Sequence, residues 1–71
     1  MDELVNEILS LAEADVKWFE ETARSFEQFA AKLNGEEKAE WESLAAAYRE
    51  RARVMKRMVE KVRENFATGS T

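Results

Sequence analysis

The sequence contains no cysteine, histidine or proline, and only two glycines in 71 residues. Without cysteine, a disulfide framework, a thiolate nucleophile and a cysteine-type zinc site are excluded. Without histidine, the commonest general base, transition-metal ligand and pH switch is missing. Because proline and glycine are the main residues that interrupt helices, their scarcity predicts long, continuous helices.

The chain is short, and we expect it to form a single domain over residues 1–71. Chains below about 80 residues rarely bury enough apolar surface to be stable alone, unless they are cross-linked or oligomeric. Since cross-links are excluded, we expect oligomerisation. No apolar run approaches the about 18 residues that a membrane span needs, and the start Met1-Asp2-Glu3 is too acidic for a signal peptide. We therefore expect a cytoplasmic protein with no membrane partner.

The apolar residues of each half of the chain follow one another in alternating steps of four and three. In the first half they are Val5, Leu9, Ala12, Val16, Phe19, Ala23, Phe26, Ala30 and Leu33. In the second half they are Trp41, Ala45, Tyr48, Ala52, Met55, Val59, Val62 and Phe66. We call these residues the seam. Such spacing is typical of coiled-coil helices, whereas a strand would need a period of two.

The two halves are separated by Asn34-Gly35, where glycine can adopt the left-handed backbone that ends a helix. A single continuous helix would place Glu37 and Glu40 at the next seam positions, which argues for a reversal instead. The sequence therefore predicts an all-α fold, an antiparallel two-helix hairpin of coiled-coil type. We expect helix 1 at about 2–33, the turn at Asn34-Gly35, helix 2 at about 36–67 and a loose tail at 68–71.

In this hairpin, facing residues have numbers that add up to about 71, so that Phe26 faces Ala45. One flank of the seam is acidic on helix 1 and basic on helix 2. The register predicts these neighbours on the flank: Glu13 with Lys56, Glu20 with Arg49, and Glu27 with both Glu42 and Arg49. Exposed pairs of this kind contribute little energy individually, but together they favour one orientation of the helices.

Further large apolar residues lie beside the seam on one side of both helices. We call them the apolar face, and they are Leu4, Ile8, Leu11, Trp18, Phe29, Leu44, Val54 and Met58. A stripe this wide is typical of a helix with two helical neighbours, and left exposed it would be a large apolar patch. We therefore expect these residues to form a partner or dimer interface, in a homodimer that is a four-helix bundle. Trp18 is the expected anchor.

Three polar residues, Asp15, Thr22 and Arg51, interrupt the apolar face near its middle. In one interpretation they provide polar specificity, setting the register or the choice of partner within the interface. In the other they lie at its hydrated rim.

The sequence offers no recognisable chemistry, and we expect no catalytic, cofactor-binding or metal-binding residues. The hydroxyl groups of its serines, threonines and Tyr48 have no histidine to activate them. A di-metal bundle site would need histidine beside inward-facing glutamates, but the seam is apolar. Our first hypothesis is accordingly a non-enzymatic protein–protein interaction module, which binds itself and an unidentified protein as an adaptor, regulator or inhibitor.

Two alternatives rest on charge. Residues 49–63 contain seven basic and two acidic residues, which would suit RNA or DNA binding by a hairpin dimer through Arg53, Arg57 and Lys61. Residues 1–35 contain eight acidic and three basic residues. Their carboxylates could mimic nucleic acid, as in acidic phage-type inhibitors such as some anti-CRISPR proteins. Both alternatives are less favoured than the first hypothesis: the whole chain is acidic, which argues against nucleic-acid binding, and acidic helices are usually just solvated surfaces.

Overall fold

The computed structural model describes the backbone of residues 2–69 and the side chains of residues 2–66. It contains two helices, α1 (Asp2–Ala30) and α2 (Gly35–Gly69), which pack against each other as a hairpin of 55 × 16 × 10 Å. The prediction of an all-helical hairpin is confirmed. Neither of these helices combines the length and apolar character that a transmembrane segment requires.

Helix α1 ends at Ala30, three residues before the predicted end at Leu33. The N–H group of Ala31 still donates to the carbonyl four residues earlier, at 3.0 Å. Those of Lys32 and Leu33 donate to carbonyls only three residues earlier, each at 3.0 Å. These tighter bonds satisfy carbonyl groups that a helix end leaves without partners, and they begin the reversal of the chain. The seam spacing continues through this turn, which is why the sequence suggested a longer helix.

Helix α2 begins at Gly35, one residue before the predicted start, and continues to Gly69, two residues beyond the predicted end. The predicted tail at 68–71 is therefore wrong for its first two residues, because nothing up to Gly69 removes a helical hydrogen bond as proline would. The remainder of that tail, residues 70 and 71, lies outside the described residues.

Gly35 has a φ of 62°, in the left-handed region that side chains with a Cβ disfavour. A Cβ atom built on Gly35 would have no atom within 4 Å apart from its immediate neighbours. Any penalty for a side chain here therefore comes from the backbone conformation and not from crowding.

We expect Gly35→Ala to destabilise the protein by about 1–2 kcal/mol, the usual penalty for a left-handed residue with a Cβ. Gly35→Asn should be less destabilising, because asparagine tolerates this conformation better. Chemical denaturation of the three proteins measures both differences. Equal stability of Gly35→Ala and the wild type would contradict a left-handed residue at this position.

The core is a single narrow layer between the helices. Among the side chains that the structure describes, seven are buried, all of them at seam positions: Leu9, Val16, Ala23, Ala30, Ala45, Ala52 and Val59. The other seam residues are half-buried, apart from Phe66, which is 42% exposed. Phe66 is the last seam residue, at the open end of the hairpin, where the opposite helix is close to its first residue. The seam is therefore the contact between the helices, as predicted.

Aromatic side chains show how the two helices are aligned. The ring centroid of Phe26 lies 5.3 Å from the centroid of Trp41 and also 5.3 Å from that of Tyr48. Since Ala45 lies between those two residues on α2, Phe26 packs at its level, in agreement with the predicted register. The alternation of rings with alanine allows the helices to approach closely.

Candidate functional site

All eight residues of the apolar face are exposed, with exposed fractions between 40% and 68%. Each directly precedes a seam residue, as Leu4 precedes Val5 and Leu44 precedes Ala45. One residue corresponds to a rotation of about 100° around an α-helix. Because the helices run in opposite directions, this rotation brings both rows to the same side of the hairpin. The apolar face is thus a second row with helical spacing, beside the seam and outside the core.

Trp18, the expected anchor, is 55% exposed, and the remainder of its ring packs against aromatic residues of the seam. Its ring centroid lies 5.5 Å from that of Phe19 and 6.0 Å from that of Tyr48. Tyr48 in turn packs edge-on against Phe19, at 5.8 Å. Near the turn, the Phe29 ring lies 4.8 Å from Trp41. The aromatic side chains of the face are therefore partly held in place by ring contacts within the chain.

The three polar residues of the face differ in their surroundings. Thr22 is half-buried, whereas Asp15 and Arg51 are exposed. The guanidinium carbon of Arg51 lies 5.6 Å from the ring centroid of Tyr48, a cation–π contact. Asp15 makes no ion pair with any residue that the structure describes. The middle of the apolar face thus carries one positive and one negative charge, neither of them neutralised by an ion pair.

Ion pairs join the helices along the charged flank. Arg49 donates two hydrogen bonds to the carboxylate of Glu27, both at 2.6 Å, and Arg63 lies 2.9 Å from Glu13. The Glu27 pair is one of those predicted. The prediction that Glu13 lies with Lys56 is wrong as a pairing, since Glu13 pairs with Arg63 instead.

The direction of helical side chains explains the difference. Side chains tilt toward the N-terminus of their own helix, so those of α1 lean away from the turn and those of α2 lean toward it. Glu13 and Arg63 therefore lean toward each other. Glu13 and Lys56 start at similar levels of the hairpin and lean apart. A register based on Cα positions alone does not include this displacement.

Hydrogen bonds from Arg49 lower the pKa of Glu27, and the attraction of the nearby arginines acts in the same direction. A folded-state pKa below the unfolded value means that Glu27 stabilises the fold above its unfolded pKa. This contribution is lost as the pH falls through the folded pKa. The hydrogen bonds from Arg53 likewise lower the pKa of Glu50.

We expect Glu27→Gln to lower the melting temperature slightly at pH 7, and this difference from the wild type to vanish in acid, below the lowered pKa. Both proteins then lack a charge at residue 27. Circular dichroism melting curves between pH 7 and pH 2.5 measure the difference. The control is Glu21→Gln, at an exposed position without an ion pair to the described residues. Its melting temperature should differ from that of the wild type by the same small amount at every pH. A difference for Glu27→Gln that stays constant into acid would contradict the ion pair.

The candidate nucleic-acid contacts all lie on α2, and Lys61 is on the same side of it as the apolar face. All three residues, Arg53, Arg57 and Lys61, are exposed and border a shallow depression around Val54 and Met58. Arg53 is bound by Glu50, with Nε 3.1 Å from one carboxylate oxygen and a second hydrogen bond to the other. Because Arg49 and Arg63 are also in ion pairs, at least three of the seven basic residues of 49–63 have an acidic partner within the hairpin.

Two of the carboxylates on α1 are neutralised in a similar way. Glu13 and Glu27 pair with arginines of α2, as described above. Glu20 lines a groove of about 440 Å³ that has Val16 and Val59 among its apolar lining, and Lys17 and Lys56 line the same groove. The flank therefore presents alternating charges instead of a continuous acidic strip.

Among the described residues, no three acidic side chains come together in a group that could hold a metal ion. We take the apolar face as the candidate site, because the hairpin leaves all eight of its large side chains exposed. Comparison with known proteins adds no relative, since no family model, no curated protein and no solved structure matches this sequence.

Proposed function

We propose that this chain is a non-enzymatic protein–protein interaction module that self-associates through its apolar face and acts by binding a protein partner. In this proposal two copies form a two-fold homodimer, a four-helix bundle. The observation that carries it is the exposure of eight large apolar side chains on one side of the hairpin. Exposed patches of this kind are characteristic of interaction surfaces.

The extended shape of the hairpin supports the proposal that it associates with a second copy. Its accessible surface is 5669 Å², whereas a compact monomer of 8.2 kDa exposes about 4,500 Å². Its radius of gyration is 16.3 Å, against about 11 Å for a compact domain of this length. Four of its seven buried residues are alanine, so the core within one chain is small. A second helix pair would supply the burial that one hairpin lacks.

The size of the apolar face fits a second copy. Eight large side chains that are about half exposed present on the order of 800 Å² of accessible area. Stable protein interfaces bury about 800 Å² on each partner. The spacing of the face also indicates the kind of partner. Its residues on α1 follow steps of four and three, as Leu4, Ile8 and Leu11 show, which is the spacing that packs against another helix.

The test is the mass of the protein in solution. Size-exclusion chromatography with multi-angle light scattering should give twice the chain mass of 8.2 kDa at micromolar concentration. The melting temperature should also rise with protein concentration, because association stabilises the folded state by mass action. A stable monomer at about 100 µM, with a melting temperature independent of concentration, would contradict self-association.

A further inference from the structure

We infer that the two copies are arranged with their turns at opposite ends, and that two reciprocal ion pairs between Asp15 of one copy and Arg51 of the other fix this arrangement. The inference rests on the self-association proposed above and adds its topology. It also decides between the two interpretations of the polar residues in the face, because it places Asp15 and Arg51 inside the interface.

The first step concerns the charges that a second copy would cover. Asp15 lies between Leu11 and Trp18 in the row of face residues, and it makes no ion pair with the described residues. Arg51 contacts the ring of Tyr48 but no carboxylate among them. When another apolar face covers them, both charges lose water. A buried charge is strongly destabilising unless it is paired, so each needs a partner of opposite sign.

The second step is that Asp15 and Arg51 of one chain lie too far apart to pair. Phe26 and Ala45 lie at the same level, that is, at the same position along the length of the hairpin. In this register Arg51 lies at the level of residue 20 of α1. Its level is therefore about 7.5 Å nearer the turn than that of Asp15, at 1.5 Å per helical residue. Side-chain tilt adds to this separation, since Asp15 leans away from the turn and Arg51 toward it. Trp18 lies about midway between the two levels.

The third step compares the two ways of stacking the faces with two-fold symmetry. One possible two-fold axis runs across both helices at the position of Trp18. It brings residues that lie nearer the turn than Trp18 opposite partner residues that lie equally far on the other side of Trp18. α1 then packs on the partner's α1, so that Trp18 meets the partner's Trp18, and Asp15 comes to the level of the partner's Arg51, which lies on the diagonally placed helix. These two side chains lean the same way along the bundle. An axis parallel to the helices packs α1 on the partner's α2 but leaves every residue at its own level, so Asp15 and the partner's Arg51 stay about 7.5 Å apart along the bundle and lean away from each other. Charge complementarity therefore selects the axis across the helices, which places the turns at opposite ends.

The same axis matches other residues of the face. It places Ile8 close to the level of the partner's Phe29, and Leu11 opposite the partner's Ser25, a large side chain against a small one. Because Trp18 lies near the middle of α1 (Asp2–Ala30), the two hairpins overlap over nearly their whole length. The arrangement thus covers the whole apolar face instead of one end of it.

The first experiment measures the topology directly. The chain has no cysteine, so Asn34→Cys gives one label site per copy, in the turn. With turns at opposite ends, double electron–electron resonance on the spin-labelled dimer should show a distance of about 48 Å between the backbones at residue 34, broadened by the label. A distance below about 25 Å, expected for helices whose turns lie side by side, would overturn the inference.

The second experiment tests the ion pairs. Asp15→Arg and Arg51→Asp should each weaken the homodimer at least about tenfold, because each brings like charges together twice. An equimolar mixture of the two variants should form a heterodimer with near wild-type affinity, since both contacts then join opposite charges. The control is Glu21→Arg, an equal reversal of charge on the outer side of α1, which should change the affinity little.

The outcomes of these experiments distinguish a failure of the assigned arrangement from a failure of the proposed self-association. A wild type that stays monomeric would overturn both. A dimeric wild type whose reversal variants dimerise normally, or whose mixture shows no preference for the heterodimer, would overturn only the assigned ion pairs and leave self-association intact.

Discussion

Replacing Trp18 and Leu11 together by glutamate is expected to abolish the dimer and leave a monomer of low stability or an unfolded chain. The side chains of Trp18 and Leu11 are 55% and 68% exposed in the single hairpin. Within it, the change removes mainly the ring contacts of Trp18 with Phe19 and Tyr48. In the dimer, however, the two glutamates would place unpaired carboxylates in an apolar interface, an arrangement that costs several kcal/mol per site. Light scattering and circular dichroism at matched concentrations measure the mass and the helical content.

The matched control is Ala14→Glu with Gln28→Glu, which adds the same charge on the outer side of α1, where both positions are exposed. This variant should remain a dimer with a melting temperature close to that of the wild type. The proposed interface would be wrong if both double variants dimerise equally well. If both dissociate, charge alone would be responsible, and the apolar face would lose its special role.

The second large effect is expected at the alanine row of the seam. Ala23 is fully buried. The seam residues before and after it on α1 are Phe19 and Phe26, and Tyr48 of α2 packs against both of their rings. Ala23→Leu adds three carbon atoms where no space exists, so rings and helices must move apart. Overpacking of this kind destabilises proteins by about 1–3 kcal/mol. For a chain of this size the melting temperature should fall by about 5–20 °C.

The control for Ala23→Leu is Ala14→Leu, an identical change at an exposed position of the same helix. Because alanine and leucine have similar helix propensities, Ala14→Leu should leave the melting temperature nearly unchanged. Equal melting temperatures for Ala23→Leu and the wild type would show that the helices are not closely packed at this level.

Which residues form the seam was predictable from the sequence, because helical spacing alone determines which side chains share a side. The seam residues are buried or half-buried, with Phe66 the one exception among the described side chains. The same reasoning identified eight further apolar residues that the seam does not include, and all eight are exposed in the hairpin. That a second copy covers them stays a prediction. Phe66 was assigned to the seam and is an additional exposed apolar residue at the open end.

The end of α1 and the partners of the flanking charges were not predictable in the same way. Leu33 continues the spacing of the seam, yet the chain already turns after Ala30 with hydrogen bonds of shorter reach. Glu13 was assigned to Lys56, but Arg63 takes its carboxylate. Spacing describes directions around a helix axis, whereas both of these outcomes depend on displacements along it.

The sequence by itself determined the absence of cysteine and histidine chemistry, the two helices, a reversal of the chain just before Gly35 and the residues that share each side. All of these follow from residue types and from the helical repeat. Only the tertiary structure decided which charges pair, how Trp18 is supported by Tyr48, and which charges of the face have no ion-pair partner. Those outcomes depend on the tilt and reach of side chains across two packed helices, and a linear repeat does not contain that information.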